Sequence, residues 1–296
     1  MKVQHLEHCP ACGSASFSQY ADVKDHYFSK EVFSVEECKQ CGLRFTQDRP
    51  DPEHIGAYYD SSNYASHDSK GKASLFLRVY GMARDWMLNH KYKLVRQFKP
   101  EWKQVLDYGT GEGFFTEFLR KKGLDAQGIE PSEVARLNYK NRTGSELYPS
   151  VESLPENMKF QAISLWHVLE HIHDLKTTME KLVSKLESKG IMVIAVPNQR
   201  SLDLKEFGEN WAAWDVPRHL YHWDDNSLSE FMKGLGMRKI YTNQLPLDPF
   251  YIALISARYA GESPFSGLWK GMRSYLHGKQ NPAEGSTLLS IWMKDR

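Results

Sequence analysis

The chain has 296 residues, 41% hydrophobic and 25% charged, which supports one sizeable domain with a buried core and a small appendage. Its formal net charge is +1, without a basic arm or Lys/Arg-rich stripe, so we expect no nucleic-acid partner. No apolar run reaches membrane-spanning length and residues 1–10 contain no signal core, so we expect a cytoplasmic protein without a membrane partner.

All the cysteines lie in two Cys-x-x-Cys-Gly knuckles near the N-terminus: Cys9, Cys12, Cys38 and Cys41. Short β-type segments separate the knuckles, and four thiolates at this spacing favour a metal ribbon. Zinc is the favoured occupant; iron and two disulfides are the alternatives. Because four thiolates complete a tetrahedral zinc sphere, the site would be structural rather than catalytic.

A Tyr-rich segment and a helical region follow this ribbon. Residues 55–67 read either as a lid over a ligand, with Tyr58, Tyr64 or His67 touching it, or as packing between ribbon and main domain. Apolar periodicity over residues 72–98 predicts one long helix or two shorter ones that cap a cleft. We therefore divide the chain into a ribbon (1–48), a linker, lid and cap (49–100), and a main domain (101–296).

The main domain begins with a strand, a glycine-rich turn and a helix. Val105 and Leu106 end the strand, residues 107–113 read Asp-x-Gly-x-Gly-x-Gly, and Phe114 stands where a dinucleotide-binding turn would have its third glycine. Asp107 would repel a diphosphate but attract a ligand with an ammonium and a sulfonium. The next strand ends at Glu130, an acid suited to two ribose hydroxyls. A tight turn without any nucleotide is the plainer alternative.

This turn, with Asp107, Gly109, Gly111, Gly113 and Glu130, resembles the first two motifs of class I S-adenosylmethionine-dependent methyltransferases. The resemblance covers about residues 105–244. It implies S-adenosylmethionine as cofactor, with adenine flanked by the loop that carries Glu152 and Ser153.

Residues 162–171 form an apolar strand that runs into Trp166 and His167, and they are similar to the fourth-strand motif of small-molecule methyltransferases of the quinone O-methyltransferase type. That similarity implies that His167 lines the cofactor or substrate pocket. Gln161 stands where that family has an aspartate. For His171 and His173 we favour a helix-terminal or buried, hydrogen-bonded role.

Residues 210–223 contain three tryptophans, Arg218 and several other polar side chains, between the fifth strand and a helix. The ribbon, the Tyr-rich segment and this loop together resemble C-methyltransferases of nucleotide-linked sugars, which implies His219 as the base. Tyr221 and His222 are further catalytic candidates. Those enzymes carry an additional α/β domain that is not found here after residue 244. The tryptophans form either substrate walls or packing anchors, and Arg218 could pair with a carboxylate or phosphate of the substrate.

The resemblance implies a three-layer α/β domain with a Rossmann-like seven-stranded sheet of order 3-2-1-4-5-7-6, the last strand antiparallel. Residues 146–148 are its expected third strand and residues 287–294 its terminal strand, with a helical insertion over about 248–285. The implied reaction is methyl transfer from S-adenosylmethionine to an oxygen or carbon of a sugar-like or phenolic small molecule. The rivals are a non-catalytic scaffold built on the ribbon and a nicotinamide oxidoreductase, which Asp107 and Phe114 disfavour.

Overall fold

The computed structural model describes residues 3–59 and 72–295, and its strands fall into two larger sheets and one short pair. In chain order the strands are β1 (Val3–Gln4), β2 (Phe17–Lys24), β3 (Val32–Cys38), β4 (Arg44–Thr46), β5 (Arg49–Pro50), β6 (Gln104–Tyr108), β7 (Asp125–Ile129), β8 (Phe160–Trp166), β9 (Leu186–Pro197), β10 (Tyr221–His222), β11 (Met237–Asn243) and β12 (Thr287–Lys294).

The α-helices of the same ranges cover the main sheet and form the cap and the insertion. They are α1 (Lys72–Phe98), α2 (Phe114–Lys121), α3 (Glu133–Thr143), α4 (Leu175–Lys185), α5 (Leu202–Phe207), α6 (Asp225–Gly234), α7 (Asp248–Tyr259) and α8 (Pro264–Gln280). Within the described ranges, none of the helices combines the length and the apolar character that crossing a membrane requires. The cap is thus one continuous helix rather than two.

The main sheet has the order β11-β12-β9-β8-β6-β7. Strands β7, β6, β8 and β9 are neighbours and run parallel to one another, whereas β12 is antiparallel to both β9 and β11. Successive residues of β9 alternate between the cores on the two faces, with Ile194 on one side and Val193 on the other. This two-sided burial explains the continuous apolar run of that strand. The fold is therefore α/β and Rossmann-like.

The seven-stranded order predicted from the sequence is not found, because the expected third strand is reduced to one bridge. Tyr148 pairs in parallel with Ile129, and its N–H donates a hydrogen bond to the Gly128 carbonyl at 2.9 Å. Pro149 follows at once and has no N–H to continue the pairing. The described sheet consequently has six strands.

The ribbon region forms a second sheet of order β10-β4-β3-β2, in which β10 comes from the main domain. Tyr221 lies opposite Phe45, and His222 lies opposite Arg44. Val35 of the β2-β3 hairpin packs in an apolar cluster with residues of α7 and of the loop before β10. The ribbon is thus joined to the loop that carries His219, although the division at residue 48 remains a prediction.

Candidate active site

The glycine-rich turn between β6 and α2 is shaped by left-handed backbone at Gly109, Gly111 and Gly113. A Cβ at Gly113 would lie 2.3 Å from the ring of Tyr139, so this glycine is needed for close packing. A Cβ at Gly111 would meet no described atom within 4 Å. The open side of Gly111 is therefore where a ligand can approach the backbone.

Asp107 lies under this turn at the end of β6 and is buried. Ser164 donates a hydrogen bond to its carboxylate at 2.7 Å, and Thr116 lies at 3.5 Å from the other oxygen. Burial raises the pKa of Asp107, while hydrogen bonds from threonine and serine hydroxyls and the charge of Lys91 oppose the rise. Its observed contacts hold the turn in place, and Lys91 brings a cation to the same side.

Glu130 follows β7 at the same edge of the sheet. Its carboxylate accepts hydrogen bonds from the N–H groups of Gly111, at 2.8 Å, and Ser132, at 2.9 Å. Burial, followed by the negative charges of Glu152 and Glu130, raises the pKa of the neighbouring Tyr108 to about 12. Glu130 and Tyr108 therefore lie at the same edge of the sheet, since Tyr108 is paired with Ile129.

Glu152 and Ser153 lie in a 3₁₀ turn that follows Ser150. The Glu152 carboxylate pairs with Lys181, whose hydrogen bond holds the Glu152 pKa below its ordinary value. Ser153 Oγ donates to the carbonyl of Ser150 at 2.6 Å. Both side chains therefore have local partners in this structure. Tyr64 and His67, two further candidates for this side of the site, lie outside the described residues.

His167 stands directly after β8 in left-handed backbone, with φ of 57°. Its Nε2 lies 2.9 Å from Asp248 Oδ2, and its Nδ1 lies 3.5 Å from Glu170 Oε1. Burial lowers the pKa of His167, but Asp248 and Glu170 outweigh burial and raise it to about 10. The charged imidazolium therefore ties the first residue of α7 to the strand edge that bears the site.

His219 lies close to two side chains that follow β8. Its Nδ1 donates to the carbonyl of Ala213 at 2.9 Å, which leaves Nε2 as the unprotonated nitrogen of the neutral ring. The ring of His171 lies 4.7 Å away between centroids, and its Nδ1 donates to the Arg218 carbonyl at 2.9 Å. One carboxylate oxygen of Glu170 and one ring nitrogen each of His171 and His219 lie within 4.8 Å of one another.

Burial and neighbouring charges shift the pKa values of the groups around His219. Burial, together with the charge of His219, lowers the pKa of His171 to about 4, so His171 is neutral at pH 7. Burial would raise the pKa of Asp215, but His219 and Arg218 hold it below its ordinary value. The carboxylate oxygens of Glu170 are buried and accept no hydrogen bond from the described part of the chain. His219 therefore faces anions and one neutral imidazole.

Tyr59 lies beside this cluster. Its hydroxyl lies 2.9 Å from His171 Nδ1. Burial and the charge of Asp215 raise the pKa of Tyr59, and both Glu170 and Glu130 add to the rise. Tyr59 therefore belongs to the group of residues around His171 and His219.

Tyr221 and His222, the other catalytic candidates, are almost completely buried in β10. Tyr221 Oη accepts a hydrogen bond from Arg49 at 3.1 Å and donates one to the carbonyl of His173. His222 Nε2 lies 3.3 Å from Thr46 Oγ1, and burial lowers the His222 pKa well below its ordinary value. These contacts favour a packing role for both residues.

The same loop also holds side chains for which the sequence allowed a substrate-binding role. Arg218 is buried and pairs with Asp215 at 2.6 Å and Asp25 at 3.3 Å, so its charge is already balanced within the protein. The tryptophans are at most 3% exposed and are packing anchors rather than substrate walls: Trp211, Trp214 and Trp223.

The cysteines of the ribbon come together as free thiols, with their sulfur atoms within 4.8 Å of one another. Cys9 and Cys41 sulfurs are 3.6 Å apart, as are those of Cys12 and Cys38. Four Zn–S bonds of about 2.3 Å in a tetrahedron place sulfurs about 3.8 Å apart. The spacing fits a metal ion held by four thiolates and is far too long for disulfides, whose S–S bond is about 2.05 Å.

Sequence reasoning missed Glu170, Asp215, Tyr59 and Lys91 as members of the site. The signal available for the first two was their position after β8 and β9, because the carboxyl ends of parallel strands meet at one edge of the sheet. Lys91 is carried by the cap helix, where its ammonium lies 4.4 Å from the centre of the Trp166 ring. The apolar periodicity of residues 72–98 gave no indication of this contact.

Comparison with known proteins links residues 81–242 to the family described as "Methyltransferase domain". A ubiquinone biosynthesis O-methyltransferase of Azorhizobium caulinodans is 25% identical over 194 residues, which are 59% of this chain and 74% of that protein. One from a Chelativorans species is 30% identical over 145 residues, or 46% of this chain. The chain spans only 57% of the length of this second relative.

Among solved structures, the chain is similar to 1,6-didemethyltoxoflavin-N1-methyltransferase of Burkholderia thailandensis, solved with 1,6-didemethyltoxoflavin and S-adenosylhomocysteine. The TM-score is 0.50 at 14% identity, and the match covers 92% of this chain and 100% of that one. At this level of identity the likeness concerns the fold.

Proposed function

The chain belongs to the methyltransferase-domain family and is an S-adenosylmethionine-dependent methyltransferase, and we propose that it methylates a hydroxyl oxygen of a small phenolic molecule with His219 as base. The observation that carries the proposal is the hydrogen bond from His219 Nδ1 to the Ala213 carbonyl, which in the neutral tautomer leaves Nε2 as the nitrogen that can accept a proton. A histidine with this free nitrogen can accept the proton that an attacking hydroxyl must lose.

The residues of the turn fit the cofactor. Gly111 leaves its Cβ side open, and Glu130 stands where its carboxylate can exchange its present backbone partners for two ribose hydroxyls. In this proposal Asp107 and Lys91 present opposite charges to the methionine moiety of the cofactor. When bound, S-adenosylmethionine supplies an electrophilic methyl group, and the protein's task is to hold the acceptor in line with it.

His219 is prepared for its task by its backbone partner. The bond from Nδ1 to the Ala213 carbonyl fixes both the tautomer and the orientation of the ring. Asp215 Oδ2 lies 3.8 Å from Nε2 and can stabilise the imidazolium once the proton has arrived. Buried Glu170 adds a further negative charge near the ring, which also favours the protonated state.

An oxygen acceptor is favoured over carbon because the cited curated relatives are named O-methyltransferases. A phenolic hydroxyl suits the site since His219 needs only to remove one proton of moderate acidity. The nucleotide-sugar alternative lacks support from the structure, because the buried Arg218 is already paired with Asp215 and Asp25. Arg218 is therefore not free to bind a diphosphate.

The first test is calorimetric titration with S-adenosylmethionine, S-adenosylhomocysteine and a nicotinamide dinucleotide, followed by mass spectrometry of acceptor mixtures. We expect saturable binding of the first two ligands only, and a mass gain of one methyl group on catechol-type phenols. Binding without transfer to any phenol or sugar would support a non-catalytic scaffold. Transfer to sugars alone would contradict the phenolic assignment.

We further propose that the ribbon cysteines bind one zinc ion that has a structural role. Because β3 ends at Cys38 and is linked through β4 to β10, metal loss would loosen the strand that follows His219. Structural zinc contributes about 10–16 kcal/mol to folding in small zinc domains. Its removal should therefore disturb more than the ribbon.

We expect one zinc per chain by elemental analysis, and Cys38→Ser should lose the zinc and lower both the melting temperature and the turnover. Ser18→Ala, at an exposed position of β2, serves as the control and should retain both. Iron in the purified protein would contradict the choice of zinc. Full turnover of a metal-free protein would show that the ribbon does not support the site.

A further inference from the structure

Helix α8 presents two opposite faces of different character. The face toward α7 consists of small residues, and a Cβ at Gly267 or Gly271 would lie 3.0 Å from the Cα atom of Leu254 or Phe250. The helix backbones are therefore in close contact there. Ser274 and Gly278 continue the same buried face.

The outer face of α8 is apolar and exposed over three turns. Its members and their exposed fractions are Phe265 (79%), Leu268 (47%), Trp269 (61%), Met272 (42%) and Leu276 (51%). Four of them, Phe265, Trp269, Met272 and Leu276, follow one another at the 4-3-4 spacing of a coiled-coil seam. We call these four residues the α8 seam.

We propose that the α8 seam packs antiparallel against the same seam of a second copy of this chain. The seam is symmetric about the midpoint between residues 270 and 271. A two-fold axis at that point places Trp269 against Met272 of the other copy and Phe265 against Leu276. Each contact thus pairs an aromatic with an aliphatic side chain, and each occurs twice, as a closed two-fold interface requires.

The exposed area fits such an interface. With aromatic side chains of about 150–250 Å² each and smaller aliphatic ones, the outer face of α8 offers roughly 500 Å² of apolar surface. A standard interface buries about 800 Å² per partner, of which somewhat more than half is apolar. Aromatic residues and methionine are also the types enriched in interface cores.

The charges beside the seam favour a protein partner over a lipid surface. Lys270 pairs with Glu262 at 2.7 Å, and Arg273 pairs with Glu206 at 2.9 Å. Binding to anionic lipid draws on cations that are free to meet the headgroups. With a formal net charge of only +1, two copies also experience little mutual repulsion.

Sedimentation velocity over a range of concentrations tests the proposal. We expect the wild-type chain to form a dimer at micromolar concentration and Trp269→Glu to be a monomer with an unchanged circular dichroism spectrum. The matched control is Trp86→Glu, which places the same change at a half-exposed tryptophan on α1 and should leave the dimer intact. A monomeric wild type at 100-fold higher concentration, or a dimer that survives Trp269→Glu, would overturn the proposal.

A charge-pairing experiment tests the antiparallel register. Met272→Lys alone should be monomeric, and mixing it with Trp269→Glu should restore a dimer, because the one glutamate then faces the one lysine while the second Trp269–Met272 contact is unchanged. Absence of that mixed dimer would contradict the register. Cosedimentation of wild-type protein with phosphatidylglycerol vesicles, lost in Trp269→Glu, would assign the seam to a membrane surface instead. Cofactor affinity measured in parallel keeps this test separate from the proposed activity.

Discussion

Replacing His219 by asparagine should lower the turnover number about 10²- to 10⁴-fold, the usual contribution of a general base, while S-adenosylhomocysteine binds as before. Asparagine can still donate a hydrogen bond to the Ala213 carbonyl, which His219 Nδ1 does at 2.9 Å. It has no counterpart of the free Nε2. The substitution therefore removes the proposed proton acceptor and leaves the local backbone contact.

A series of phenols with increasing pKa sharpens this experiment. If His219 accepts the proton, the loss in His219→Asn should be largest for the least acidic phenols, which depend most on a base. His5→Asn is the control, because His5 is exposed and pairs with Asp48 on the ribbon side of the chain. An equal loss for all phenols would assign His219 a positioning role, and no loss would exclude it as the base.

The local sequence pattern was sufficient to predict the glycine-rich turn and most of the main sheet. The glycines between Asp107 and Gly113 specify a turn within a few residues, and the alternating cores explain the long apolar run in β9. Gln161, in the place of an aspartate, illustrates the same point, because its side-chain oxygen accepts a hydrogen bond from Lys103 N–H at 2.6 Å. A neutral acceptor therefore fulfils the structural task there.

The remaining features depend on contacts between distant parts of the chain. Strand β10 pairs with β4 across about 170 residues of sequence, and nothing in Tyr221–His222 itself indicates that partner. The approach of His171 and Glu170 to His219 likewise follows from the order of β8 and β9 in the sheet. The missing third strand has a local cause in Pro149, which the strand pattern of residues 146–148 concealed.

The second large effect should come from Glu130→Ala, for which we expect a loss in affinity for S-adenosylhomocysteine of about 10- to 100-fold. Hydrogen bonds to charged groups contribute about 1.5–3 kcal/mol each, and 1.4 kcal/mol corresponds to a factor of ten. Asp125→Ala is the control, since Asp125 is an exposed acid at the start of the same strand. Calorimetry measures both variants, and thermal unfolding reports whether the fold is retained.

The carboxylate of Glu130 also accepts a hydrogen bond from Gly111 N–H, so the loss of affinity has two conceivable origins. A thermodynamic cycle that combines Glu130→Ala with a ligand lacking one ribose hydroxyl, 2′-deoxy-S-adenosylhomocysteine, separates the two origins. If Glu130 binds the ribose, the wild type should prefer the 2′-hydroxyl ligand and Glu130→Ala should lose that preference. If the variant weakens both ligands equally, Glu130 acts by shaping the turn, and its assignment as the ribose-binding acid is wrong.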